Sequence, residues 1–83
     1  MGKHEKLLLQ ILRGNSDQNI AFDDVCNLLG SMGFEKRIRG SHHIFSKAGI
    51  IDLINLQRLG SKAQPYQVRQ VRQIILKNNL TGE

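Results

Sequence analysis

Arg37-Ile38-Arg39-Gly40-Ser41-His42-His43-Ile44-Phe45-Ser46-Lys47 is the stretch whose reading decides the fold. It reads as two short strands joined by a Gly-Ser turn, because apolar and polar residues alternate on either side of a pair suited to a two-residue hairpin loop. Basic side chains sit on both strands and two histidines follow the turn. Histidine exchanges protons near neutral pH, and Lys or Arg close by is what a phosphodiester requires. The stretch is therefore either a catalytic site or the solvated edge of a sheet.

Upstream, Phe34 to Arg39 alternates loosely, as a strand with one exposed face does. Before it, Phe22 or Asp23 opens a helix whose apolar positions Val25, Leu28, Leu29 and Met32 recur at three and four residues. Asp23 and Asp24 suit its positive end, and Gly33 is its stop. Lys3 to Leu12 predicts a further amphipathic helix, with Leu7, Leu8, Ile11 and Leu12 on one side, ended by Gly14. The polar run Asn15 to Asn19 reads as a loop. Downstream, Ala48-Gly49 makes a second tight turn and Ile50 to Leu56 a third, more apolar strand, so the three strands form an antiparallel meander. Leu59 to Gln64 reads as a loop. Pro65 then occupies the first turn of a last helix, to about Asn78, with Val68, Val71, Ile74 and Ile75 on one face and Arg69, Arg72 and Lys77 away from it.

The order α-α-β-β-β-α implies one α+β domain over residues 1–83. A three-stranded antiparallel sheet cannot be covered on both faces by so short a chain, so the helices pack on one face and the other stays wet. Alternation along the second strand puts His42 and Ile44 on one face and His43 and Phe45 on the other. Phe45 is the stronger core anchor, which gives the wet face to His42. His43 then has a structural role, packed under a helix with its ring nitrogens bonded locally.

The 83 residues include 12 Lys and Arg against 7 acidic residues, for a formal charge of +5. That balance favours a polyanionic partner, nucleic acid before membrane. The longest apolar run in the first half, Leu7-Leu8-Leu9, is far short of a spanning helix or a signal-peptide core, so a cytoplasmic protein is expected. The lone Cys26 lies in a helical apolar pattern and suits a reducing compartment. One cysteine and three histidines, two of them adjacent, do not readily build a zinc site, and no cofactor is expected. His4, at the start of the first helix, reads as a surface residue.

The segment from Phe22 to Leu80 resembles the HicA family of bacterial toxins, small mRNA-cleaving ribonucleases paired with HicB antitoxins. The residues that carry the resemblance are Leu28-Leu29-Gly30-Ser31-Met32-Gly33-Phe34, then a basic strand, then Arg39-Gly40-Ser41-His42-His43-Ile44-Phe45, a third strand and a helix opened by a proline. Residues 1–14 form an extra N-terminal helix beside that core, as in longer relatives. After the third strand the chain has Leu59-Gly60-Ser61-Lys62 where many members show His-Pro-Gly. The resemblance implies a fold like that of a double-stranded-RNA-binding domain, cleavage of mRNA, and a cognate HicB-like antitoxin as partner. It also implies that the histidine after the Gly-Ser turn, His42, is the functional one.

Metal-free RNA cleavage needs a base for the 2′-hydroxyl proton, a cationic environment for the phosphorane and an acid for the departing 5′-oxygen. One imidazole supplies the first or the last. With His42 as general acid or base, Arg37, Arg39 and Lys47 on the same two strands are candidates to hold the phosphate, and Ser41 to donate a hydrogen bond at the turn. Arg58 and Lys62 in the following loop, and Arg69 and Arg72 on the last helix, are further backbone contacts of lower rank. Few aromatic residues are present, so low base specificity is expected. Two other functions fit the same residues: an RNA-binding module that does not cut, and a protein-interaction module whose acidic partner matches the basic charge.

Overall fold

The computed structural model describes residues 2–80. Helix α1 (Lys3–Arg13) ends at Gly14, whose φ of 77° is the left-handed conformation that glycine adopts without strain. A 3-10 turn (Asp17–Asn19) follows within the expected loop, and α2 runs over Phe22–Ser31. The stop at Gly33 is a Schellman motif. Gly33 N–H donates to the Gly30 carbonyl and Phe34 N–H to the Leu29 carbonyl, both at 3.1 Å, which carries Phe34 into the core before the first strand begins.

Strands β1 (Glu35–Arg39), β2 (His42–Lys47) and β3 (Ile50–Leu56) form an antiparallel sheet in the order β1-β2-β3. The α+β order expected from the sequence is present, with three helices against one face of that sheet. The alternation also holds: Phe45, Ile54 and Leu56 are buried with Ile11, Phe22, Val25 and Leu29 from the first two helices. The last helix, α3 (Pro65–Lys77), adds Val68, Val71 and Ile75 to the same core. Leu53 and Ile51, at the intervening positions of β3, are 60% and 97% exposed, so the opposite face of the sheet is open to solvent. Strand β1 is exposed along its length.

Two expectations need correction. The segment Leu59 to Gln64 is not a plain loop. Arg58–Leu59 (β4) and Lys62–Ala63 (β5) make a second hairpin turned by Gly60-Ser61, and Ala63 N–H donates to the Ile20 carbonyl at 2.9 Å. Its strands are two residues long, too short to show alternation, and it is held by Ala21 and its neighbours, distant in sequence. Arg72 does not point away from the core side. Its guanidinium makes a bidentate pair with Asp17 (3.0 and 3.3 Å) and donates to the Ile11 carbonyl at 3.1 Å. It thereby ties the end of α1 and the 3-10 turn to α3, a structural task that removes it from the candidate RNA contacts.

Candidate active site

The Gly40-Ser41 turn places His42 at the first position of β2. Gly40 has φ 58°, the value a glycine-first two-residue hairpin turn needs, and the loop closes with Arg39 directly opposite His42. One step along, Arg37 lies opposite Ile44 and Ile44 opposite Asn55. Because strand side chains alternate, His42, Ile44, Arg37, Arg39, Leu53 and Asn55 share the open face. His42 is half-buried there, and its Nδ1 lies 3.0 Å from Asn55 Oδ1. An amide oxygen can only accept, so Nδ1 is the donor, and in the neutral ring Nε2 keeps its lone pair.

Arg37 and Arg39 have no hydrogen-bond or ion-pair partner among the described residues, whereas Arg58, Arg72 and Lys77 are each matched with a carboxylate. The two free guanidiniums, with Ile44, Ser46 and Leu53, line a shallow groove of about 280 Å³ on the open face.

Three residues that the sequence reading passed over hold the turn in place. Gln57 Nε2 donates to Ser41 Oγ at 3.1 Å, and Gln57 N–H donates to Gln67 Oε1 at 2.8 Å. Gln67 is 4% exposed on α3, and its Nε2 donates to the Tyr66 hydroxyl at 3.3 Å. Ser41 therefore accepts from a neighbour at the turn, and the helix layer reaches the β1–β2 hairpin through two amides. A glutamine among apolar helix positions, one residue before Val68, was the available signal.

His43 faces the helices, edge-on to Phe22 with ring centroids 4.9 Å apart and planes at 86°. Its core-side placement agrees with the alternation, but its buried Nδ1 has no hydrogen-bond partner among the described residues, so the expected local bonding is not made there. Lys47 lies at the far end of β2 and turns to Gly33. A Cβ built on that glycine would sit 2.6 Å from Lys47 Nζ, so the ammonium covers the end of α2 instead of joining His42. The alternation itself assigns Lys47 to the His43 side, where a cation suits a helix C-terminus.

Arg58 pairs with Asp23 at 2.8 Å and stacks 4.6 Å over the Phe22 ring, on the helix side of the sheet. Lys62 is exposed on β5, without a partner among the described residues, and Arg69 borders a polar groove with residues 14–19 and Pro65. Neither is brought to the open face by a contact. Cys26 is partly buried on α2, and burial pushes its thiol up, which makes it a poor nucleophile. Among the described residues no group of His, Cys, Asp or Glu is arranged to hold a metal ion, and no helix is long and apolar enough to cross a membrane. Compared with known protein families, curated proteins and solved structures, the chain matches none of them.

Proposed function

We propose that this chain is an endoribonuclease that cuts mRNA without a metal ion, using His42 as general acid or base, and that it is the toxin of a cytoplasmic toxin–antitoxin pair held in check by a HicB-like antitoxin. The observation that carries the catalytic part is the state of the His42 ring. Nδ1 is committed to Asn55, Nε2 is left for proton transfer, and two guanidiniums without a partner among the described residues stand on the neighbouring strand of the same open face. In the proposed reaction Nε2 takes the proton of the ribose 2′-hydroxyl as that oxygen attacks phosphorus. The bond to the 5′-oxygen breaks and that oxygen takes a proton from solvent water, leaving a 2′,3′-cyclic phosphate and a 5′-hydroxyl. Arg39, directly opposite His42, takes up the growing charge on the phosphoryl oxygens, and Arg37 holds the adjoining phosphate.

The toxin role is supported by the Leu28–Phe34 and Arg39–Phe45 segments that resemble the HicA family, and by the charge of +5, which suits RNA and an acidic antitoxin in turn. The test is expression in growing cells: the wild type is expected to arrest growth and shorten cellular mRNA, and the His42→Ala protein to do neither. Growth arrest by a folded His42→Ala protein would contradict the reading.

One observation favours a second reading, an RNA-binding module that does not cut. Among the described residues no carboxylate or second imidazole hydrogen-bonds to His42, so the proton for the leaving oxygen has no separate donor among their side chains in its immediate contacts. Retained RNA affinity with intact product from the wild type would select it.

A further inference from the structure

The groove on the open face, which begins two positions along β2 from His42, combines two chemistries that a simple phosphate site does not need. Its rim carries the guanidiniums of Arg37 and Arg39, two residues apart on β1 and thus about 7 Å apart along the strand. Its other walls are Ile44 and Leu53, with the Ser46 hydroxyl at one side. Leu53 is 60% exposed, an apolar surface on the sheet face that no helix covers. Phosphates alone would gain nothing from that floor.

We propose that this groove is a nucleotide subsite: it takes one unstacked nucleotide of single-stranded RNA, with base or ribose against Ile44 and Leu53 and the adjoining phosphates on Arg37 and Arg39. The choice of RNA rests on the ribonuclease reading, and the groove adds which form of RNA is taken and where it lies. A duplex keeps its bases stacked inside and offers an apolar floor only backbone, whereas a single strand can lay a base on it. The free guanidiniums match successive phosphates of an extended strand.

The register fixes the relation to the chemistry. Arg39 is opposite His42, and Ile44 follows His42 by two positions on the same face. A strand that runs along the groove therefore presents the phosphate next to the seated nucleotide to the imidazole. The floor is aliphatic and the polar groups around it are two guanidiniums and one hydroxyl, so the subsite accepts any base and discriminates single strand from duplex.

The test uses the whole chain and a short single-stranded 2′-O-methyl RNA, which cannot be cut, with binding followed by fluorescence anisotropy over a range of salt. Wild type binds it more tightly than it binds the same strand annealed to its complement. Leu53→Ser weakens binding by about tenfold, as expected for losing the apolar contact of a leucine side chain that is covered on binding. Arg37→Gln and Arg39→Gln each lower the slope of log affinity against log salt by about 0.7, one phosphate contact per guanidinium. Leu76→Ser, on the exposed side of α3, changes neither affinity nor slope. Circular dichroism confirms that each variant is folded, and Ile44→Ala provides a second probe of the floor if Leu53→Ser is not.

Wild-type affinity in both floor variants would overturn the subsite, as would tighter binding of the duplex. So would no oligonucleotide binding alongside capture of an acidic peptide, which would make the groove a protein interface. Intact binding with no cleavage of ordinary RNA sinks the ribonuclease reading and leaves the subsite standing, so the two failures are distinct.

Discussion

His42 Nδ1 and Asn55 Oδ1 are 3.0 Å apart across the β2–β3 pair, and this contact decides which ring nitrogen is free. Asn55 is a positioning residue: it touches the imidazole and acts through it. Asn55→Ala releases the ring to either tautomer and rotates it from its strand, and kcat falls about tenfold, the worth of one such hydrogen bond. Imidazole 15N shifts of His42 in the neutral protein move from one dominant tautomer toward a mixture, a change that a purely structural role for Asn55 would not produce. Asn55→Asp places a carboxylate at the same atom and favours the charged ring, so cleavage by His42 as a base moves to higher pH. An unchanged spectrum and pH profile in both variants would remove Asn55 from the site.

His43 is the control for His42. Its Nδ1 is buried without a partner among the described residues, and its ring meets Phe22 edge-on. Replacing it with phenylalanine keeps the aromatic contact and removes the unsatisfied nitrogen, so His43→Phe leaves cleavage intact and stabilises the fold by about 1 kcal/mol. That is read as a rise in Tm of roughly 4–8 °C for a domain of this size. Loss of cleavage with a raised Tm would give His43 a part in the chemistry.

The Arg72–Asp17 pair is a structural staple. Its side chains are 18% and 11% exposed, so solvent screens it little, and removal of one partner strands the other charge. Arg72→Met destabilises by about 3 kcal/mol in thermal or urea unfolding. The double variant Arg72→Met, Asp17→Leu recovers part of that loss, because no charge is then left alone.

Asp52 joins β3 to the end of α3. The Asn78 amide at 3.3 Å holds its carboxyl below the usual carboxylate range, and the Lys77 ammonium at 3.4 Å adds to this. A carboxylate whose value is lowered by folding stabilises the fold above the unfolded range, and that contribution is lost as pH falls through the folded value. Asp52→Asn therefore lowers Tm at neutral pH, and the difference from wild type shrinks as the solution is acidified. Its persistence at a pH where the Asp52 carboxyl is protonated in both the folded and the unfolded protein would show that the contact is not ionic.

Much of this architecture was legible in the residues. Phe45 as the core anchor gives the covered face of β2, Gly33 ends α2 by the motif its position suggested, and the alternation separated His42 from His43. The misses have specific physical causes. Asn55 looks like any solvated strand residue until the β2–β3 register is known, and that register shifts between Phe45 and Lys47. The β4–β5 hairpin depends on backbone bonds to the Ile20–Phe22 segment, which leave no side-chain pattern. Arg72 was assigned to the polar face by its charge. Its spacing, four after Val68 and three before Ile75, already put it beside the apolar stripe.

The central claim is that His42 transfers the proton in RNA cleavage. Its most direct test is the cleavage of single-stranded RNA by purified wild type and His42→Ala protein, both shown to be folded, in the presence of a chelator. The account predicts wild-type products ending in 2′,3′-cyclic phosphate and a loss of about 10²- to 10⁴-fold in rate for the variant, the usual worth of a general acid or base. Undiminished cutting by His42→Ala, or no cutting by the wild type, would contradict it.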